Sequence, residues 1–391
     1  MKTKLIIFGI TGDLSRRKLL PVLSDIVASG NYDDLSVVGV SRREVDVKEL
    51  LEDQPNLIDR TEIFTMDLAE KGDYDKLSDY LRLGKDEQAL FYLSVPPNAA
   101  ADIVDFLGQA GVSSRNVKIL FEKPFGYDLA SAQDFIARTG RYFNESQIYR
   151  IDHYMAKEIA QEIIRRRSDI ETHHHSWNKH SVAAIDVVAS EMIGVEDRAV
   201  FYEQTGALRD FIQGHLMQLL SLVIMEIPQD FTLEKLSQYR LQALEAIEPA
   251  DPVKAVRAQY EGYQTEVGNM GSLTETFASL QLVSNDEHWQ GVSLRLSTGK
   301  ALDVKRTYIK LTHHDGTEDV FEEGKMLHKE HIPDAYEHVL IEAIEGRKMI
   351  FTTGPEVLRS WEIVAPVQQA WEMDNQPLHL YTPGSSLDEL I

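Results

Sequence analysis

The chain has 391 residues, enough for two domains with separate cores. Its formal net charge of −23 argues against general affinity for nucleic acid or anionic lipid, so neither a nucleic-acid nor a membrane partner is expected. The absence of cysteine excludes disulfides, thiolate nucleophiles and Cys-based zinc sites, and it fits a reducing cytoplasm. The opening apolar run, Leu5 to Phe8, is too short for a signal sequence or a membrane span, so a soluble cytoplasmic protein is expected.

Lys4 to Phe8 reads as a strand that runs into the turn Gly9-Ile10-Thr11-Gly12-Asp13-Leu14. A helical pattern follows through Leu20, Leu23 and Val27, with Pro21 as a kink, and then a second strand over Leu35 to Val40. Strand, glycine turn, helix and strand open a Rossmann-type doubly wound sheet. The turn is G-x-x-G and not the full G-x-G-x-x-G, a pattern that also serves merely to join a strand to a helix. The second strand ends in Ser41-Arg42-Arg43, and the nearest acid is Glu44. A cation there suits a 2′-phosphate and an acid suits a ribose hydroxyl, so the residues favour NADP, with NAD as a secondary acceptor. The plain alternative is a solvated loop carrying two arginines.

Ala89 to Val95 is another strand, stopped by Pro96-Pro97, and Val117 to Phe121 is the next, ending in Glu122-Lys123-Pro124-Phe125-Gly126. Ligands of open α/β sheets lie outside the carboxyl ends of the strands, where Lys123 falls. Arg150-Ile151-Asp152-His153-Tyr154-Met155-Ala156-Lys157-Glu158 then gathers an acid, an imidazole, a phenol and an ammonium. If Asp152 to Glu158 opens a helix, His153 and Lys157 share a face near its N-terminus, a natural place for phosphate. An ordinary capped helix with a polar pair on its solvated face satisfies the same spacing.

The run His173-His174-His175 invites a metal, but adjacent side chains diverge in either regular element, so no metal site is expected. Ala183 to Ala189 returns to strand character and leads to Glu191. Leu208, Phe211, Ile212, His215, Leu216, Leu219 and Leu220 then trace one apolar helical stripe, with Asp210 beside it. A histidine on that stripe is either a satisfied core residue or a desolvated, neutral imidazole of the kind a general base requires. Strands over Thr274 to Val283, Gln290 to Leu296 and Tyr308 to Leu311 follow, with Lys300 closing a strand and Lys305 beyond it. Asp334-Ala335-Tyr336-Glu337 opens a helix, Glu356 to Trp371 forms another, and the tail from Gln376 reads as irregular. There is no internal repeat and no long low-complexity linker.

These blocks, in this order, resemble the glucose-6-phosphate dehydrogenase family. The resemblance rests on Gly9-x-x-Gly12-Asp13-Leu14 with Arg17-Lys18-Leu19, Phe91-Tyr92-Leu93 before Pro96-Pro97, Glu122-Lys123-Pro124-Phe125-Gly126, and Arg150-Ile151-Asp152-His153-Tyr154 with Lys157-Glu158. It continues through Gly206-Ala207-Leu208-Arg209-Asp210 leading to His215-Leu216, Gly299-Lys300, Asp334-Ala335-Tyr336-Glu337 and Ala370-Trp371-Glu372. It implies a Rossmann-type domain over 1–152, followed over 153–391 by an α+β domain with a large, mainly antiparallel sheet. It also implies oxidation of C1 of glucose 6-phosphate with NADP, and a homodimer or higher homo-oligomer.

By this resemblance His215 is the general base and Asp152 orients it. His153, Tyr154 and Lys157 hold the phosphate, and Lys123, Glu191, Asp210, Lys300 and Lys305 line the sugar. Gly9, Gly12, Asp13, Leu14, Arg42, Pro96 and Lys123 meet the cofactor. The chain departs from the family at Met155-Ala156 and at Arg166-Arg167-Ser168-Asp169, and it is shorter, mostly after Lys300. Two alternatives stay open, a related sugar dehydrogenase acting on an unphosphorylated sugar and a catalytically silent paralogue with a regulatory role.

Overall fold

Parallel strands buried on both faces appear in sequence as unbroken apolar runs, and such runs build the first sheet. In the computed structural model, which describes residues 1–168, 177–325 and 334–391, its strands are β1 (Lys2–Phe8), β2 (Leu35–Ser41), β3 (Thr61–Thr65), β4 (Glu87–Leu93), β5 (Val117–Phe121) and β6 (Ile148–Ile151). Leu5, Ile6, Ile7 and Phe8 of β1 and Ala89 to Tyr92 of β4 are wholly buried. Neighbouring strands pair in parallel in the order β3-β2-β1-β4-β5-β6, the arrangement of a doubly wound dinucleotide-binding sheet.

The helix after β1 runs through Pro21 without ending there. A π-helical turn, Ser15–Leu19, runs into an α-helix, Leu20–Ala28, and Pro21 sits in the first turn of that helix. The chain before it is already helical, so the ring removes one donor, and the wider π-helical turn carries the helix through the proline.

The second sheet has β7 (Val182–Ser190), β8 (Ala255–Tyr260), β9 (Phe277–Leu282), β10 (Ser293–Gly299), β11 (Arg306–His313) and β12 (Glu318–Glu322). A further strand, β13 (Phe351–Thr352), pairs antiparallel with β6 and closes the first sheet, while β14 (His379–Tyr381) pairs in parallel with β8. The second sheet runs β12-β11-β7-β10-β9-β8-β14 and is mainly antiparallel, with β7-β10 and β8-β14 as the parallel pairs. The C-terminal tail, read as irregular from its composition, is corrected by β14. Tyr381 buries its ring with Tyr260, Tyr263, Phe277 and Leu302, and a three-residue strand is too short to show a period.

Contacts divide the chain into two compact units. One comprises Met1–Gly126, Ala130–Ala156 and Ile332–Gly354, and the other Tyr127–Leu129, Lys157–His331 and Pro355–Ile391. Residues 334–354 thus belong with the first unit, a re-entry that a single division after residue 152 does not express. Among the described residues no helix is long and apolar enough to cross a membrane. None of their His, Asp and Glu side chains form a group of three or more placed to hold a metal ion, and His173, His174 and His175 lie outside the described residues.

Candidate active site

The glycine turn after β1 is fixed by close approach. Gly9 has φ +80°, and a Cβ there would lie 2.2 Å from the Ser94 carbonyl oxygen, so no other residue fits. Gly12 N donates to the Gly9 carbonyl at 2.9 Å, and Ser15 Oγ donates to the same oxygen at 2.9 Å. Beside this turn is a cavity of about 460 Å³, lined by Gly9, Thr11, Gly12, Ser41, Arg42, Arg43, Asp67, Pro96 and neighbouring residues. Four of the seven expected cofactor residues, Gly9, Gly12, Arg42 and Pro96, therefore share one wall. Asp13, Leu14 and Lys123 are not among its lining residues, and the exposed Asp13 carboxylate pairs with Arg17 at 2.7 Å. A backbone turn with room for a pyrophosphate and two arginines at the end of β2 fit a dinucleotide.

At the end of β5, Glu122 accepts a hydrogen bond from the Tyr92 hydroxyl. Burial pushes the Glu122 carboxyl up to about 7; the Tyr92 bond and the Lys123 ammonium pull it down, and the Asp152 carboxylate raises it further. Asp152 itself is 2% exposed and caps the segment that follows β6. Its Oδ1 accepts from Tyr154 N at 3.0 Å and its carbonyl from Met155 N at 2.9 Å. These bonds form a separate 3₁₀ turn, His153–Ala156, and the α-helix begins only at Glu158. The single helix over Asp152 to Glu158 on which a shared face for His153 and Lys157 depends is therefore replaced by two elements, a 3₁₀ turn and an α-helix. The His153 ring stacks on Tyr336 at 6.1 Å and 11°. Tyr336 lies in the first turn of the helix Ala335–Glu345, capped by Asp334 at 2.8 Å, which gives the Asp334-Ala335-Tyr336 block a local purpose.

In the second unit, Lys157 immediately precedes the helix Glu158–Ser168, and its carbonyl accepts from Gln161 N at 3.1 Å. The start of this helix already meets an acid, since Glu323 Oε2 accepts from Ile159 N at 3.3 Å. Burial raises the Glu323 carboxyl, while the charge of Lys157 and the Ile159 N–H lower it.

The parallel register of β7 and β10 sets Ser190 against Gly299, so the next residues, Glu191 and Lys300, leave the sheet side by side. Their side chains form an ion pair, and Lys300 is 5% exposed with its ammonium 5.2 Å over the Tyr202 ring. Asp210 and His215 both lie on a π-helical stretch, Leu208–Leu216. Arg198 approaches Asp210 at 3.7 Å, and His215, 6% exposed, packs edge-on to Phe211 at 5.6 Å. Lys305 is exposed, beyond the end of β10. The second unit thus holds Glu191, Lys300, Asp210 and His215, and Tyr202 and Arg198, which the sequence did not single out, meet Lys300 and Asp210. Tyr202 and Arg198 precede the Gly206-Ala207-Leu208 block without a motif of their own, and only their packing shows them.

A doubly wound parallel sheet, a glycine turn beside a cavity lined by two arginines, and a separate α+β unit holding a buried imidazole and ammonium define a nicotinamide-dinucleotide oxidoreductase. The family models described as "Glucose-6-phosphate dehydrogenase, NAD binding domain" and "Glucose-6-phosphate dehydrogenase, C-terminal domain" match residues 6–162 and residues 167–332 and 323–389. The chain belongs to the glucose-6-phosphate dehydrogenase family. It is 30% identical to glucose-6-phosphate 1-dehydrogenase of Chlamydia pneumoniae over 98% of this chain and 92% of that one. With the enzyme of Rhizobium meliloti (strain 1021) it is 29% identical over 97% of this chain and 93% of the relative. The crystal structure of glucose-6-phosphate 1-dehydrogenase from Mycobacterium avium superposes with a TM-score of 0.87 at 28% identity, covering 98% of this chain and 94% of that one. The Rhizobium alignment runs over 457 positions against 391 residues, so it opens gaps in this chain.

The raised Glu122 carboxyl leads to an expected pH dependence of stability. A group whose pKa is higher in the fold than in the unfolded chain stabilises most below its unfolded value, and the benefit is lost as pH rises through the folded value. For Glu122 that window runs from 4.5 to about 7. Thermal melts across it should show the wild type losing up to about 3 kcal/mol relative to Glu122→Gln, on the scale of one pKa unit to about 1.4 kcal/mol. Parallel pH dependence in the two proteins would mean that Glu122 is ionised in the fold.

Proposed function

We propose that this protein oxidises C1 of glucose 6-phosphate to the 6-phospho-lactone and passes the hydride to a nicotinamide dinucleotide, NADP by preference. The observation that carries this is the second-unit cluster, a buried imidazole at 215 on the same short helical stretch as Asp210, with the Glu191–Lys300 pair in the same unit. His215 takes the proton of the C1 hydroxyl onto a ring nitrogen as the C1–H bond breaks, the C1–O bond becomes a carbonyl, and the proton then passes to water. Asp152 takes, by family resemblance, the role of stabilising the protonated imidazole. Glu191, Asp210, Lys300, Lys305 and Lys123 are assigned to the sugar hydroxyls, and His153, Tyr154 and Lys157 to the phosphate, whose binding energy fixes C1 for reaction. The dinucleotide, held by Gly9, Gly12, Arg42 and Pro96 with Asp13 and Leu14 alongside, supplies the hydride acceptor when bound.

Arg42 and Arg43 support the preference for NADP. Among the described residues lining the cavity the one acid is Asp67, and its Oδ1 is engaged by Ala69 N at 3.0 Å. A soluble cytoplasmic homodimer or higher homo-oligomer is the setting the family resemblance supports.

One observation favours a dehydrogenase for an unphosphorylated sugar, namely the Glu323 carboxylate at the helix start next to Lys157. Steady-state turnover of glucose and glucose 6-phosphate, each with NADP and with NAD, decides between the two. Strong preference for the phosphorylated sugar is expected, and equal efficiency on glucose would remove the phosphate assignment.

Three variants test single roles. Replacing the base, His215→Asn, should lower kcat by about a hundredfold or more while KM changes little. Lys157→Ala should raise KM for the phosphorylated sugar, and an unchanged KM would count against an ionic contact there. Arg42→Ala should lower the ratio of NADP to NAD efficiency, read from kcat/KM with each cofactor.

A further inference from the structure

The stretch Leu208–Leu216 begins abruptly. Gly206, at φ +62° and ψ −177°, breaks the preceding helix, so the N–H groups that open the new stretch need partners from elsewhere. Glu275 provides two of them. Its Oε1 accepts from Leu208 N at 2.9 Å, and its backbone carbonyl accepts from Ala207 N at 3.0 Å. Its carboxylate also fills the space a side chain at 206 would need, since a Cβ on Gly206 would lie 2.4 Å from Glu275 Oε1. Only glycine allows both the backbone conformation and the close approach. Burial raises the Glu275 carboxyl, and the Leu208 N–H together with the Arg209 and Arg257 guanidinium charges offsets part of that. An acid at the start of a helical stretch is also favoured by the stretch's own dipole.

The next residue does the same for the other half of the cluster. The Thr276 carbonyl accepts from Lys300 N at 2.9 Å. Its hydroxyl lies 2.9 Å from the Tyr381 hydroxyl, which donates to the Lys300 carbonyl at 2.7 Å. Both backbone groups of Lys300 are therefore tied, directly or through one tyrosine, to residue 276.

We propose that Glu275-Thr276 is the positioning element of the second unit. Glu275 holds the start of the stretch carrying Asp210 and His215, Thr276 holds the backbone of Lys300, and one dipeptide thereby sets the spacing between the base and the lysine. Neither residue touches substrate; both act through the residues they hold. The inference rests on the function proposed above, because it assumes that His215 and Lys300 serve one reaction.

The test uses Glu275→Gln, which keeps an oxygen to accept the Leu208 N–H, against Glu275→Ala, which does not, with Thr276→Val as a milder change. Misplacing a base by a fraction of an ångström is costly, so Glu275→Ala should lose about tenfold or more in kcat while KM for the dinucleotide stays unchanged. Glu275→Gln should restore kcat to within about threefold, as expected when a single acceptor oxygen is what matters. Thr276→Val should raise KM for the sugar phosphate more than it lowers kcat, since it loosens Lys300 and leaves His215 in place. Equal kcat in the Ala and Gln variants, whether both full or both low, would overturn the proposal, as would a Thr276→Val protein identical to wild type should Glu275→Ala fail to fold. Were the wild type inactive on every hexose phosphate, the functional reading would fail by itself. Amide exchange would then decide the clamp, with faster exchange at Leu208 in Glu275→Ala alone expected and unchanged exchange overturning it.

Discussion

The parallel register of β7 and β10 is the constraint on which the second unit depends. It sets Ser190 opposite Gly299, and the two chains then leave the sheet in step. Backbone bonds hold them together past the ladder, from Glu191 N to the Gly299 carbonyl and from Leu302 N to the Glu191 carbonyl, each at 2.9 Å. The Glu191–Lys300 pair is a consequence of that alignment. A shift of one residue would turn every β10 side chain to the other face and separate the pair. Burying an ammonium this deeply is tolerable only because a carboxylate and an aromatic face meet it.

The same rule governs the whole molecule. With a net charge of −23, any site for an anionic ligand must concentrate cations locally inside an acidic exterior. Buried arginines away from such a site are instead met by carboxylates. Arg240 and Glu356, both fully buried, pair at 2.7 Å. Arg150, also fully buried, pairs with Glu145 at 2.5 Å, and the same carboxylate accepts from Gly354 N at 3.0 Å. Arg150 is the first residue of the Arg150-Ile151-Asp152-His153-Tyr154 block, one of those that carry the family resemblance. It lies within β6, where its backbone pairs with Thr352 of β13 and its guanidinium with Glu145. Removing one partner from a pair as buried as Arg240 and Glu356 costs about 3 to 5 kcal/mol, because the other charge is left uncompensated.

Much of the first sheet was legible because doubly buried strands are continuous apolar runs, and Val117 to Phe121 came out with its bounds intact. The strand β6 was harder, since a buried arginine interrupts its pattern, and two-residue β13 has no pattern to read. The edge strand β3 alternates too weakly to stand out. At the candidate site, residues in dense local blocks were readable, and those that act by packing were not. Glu275 and Thr276 lie within a segment read simply as strand, and Tyr202 sits among ordinary helix residues. What they hold is distant in sequence, and no local period encodes a partner 67 or 105 residues away. The 3₁₀ turn after Asp152 escaped for the opposite reason. Its spacing suits one helix, and the break between the 3₁₀ turn and the α-helix leaves no mark in the sequence period.

The most direct measurement of the central claim follows one atom. Glucose 6-phosphate carrying deuterium at C1 is incubated with the protein and oxidised NADP, and the products are analysed for the label. The account predicts that deuterium appears on the reduced nicotinamide in step with formation of the phospho-lactone. Consumption of the sugar phosphate with the label retained on the sugar or lost to water would contradict it.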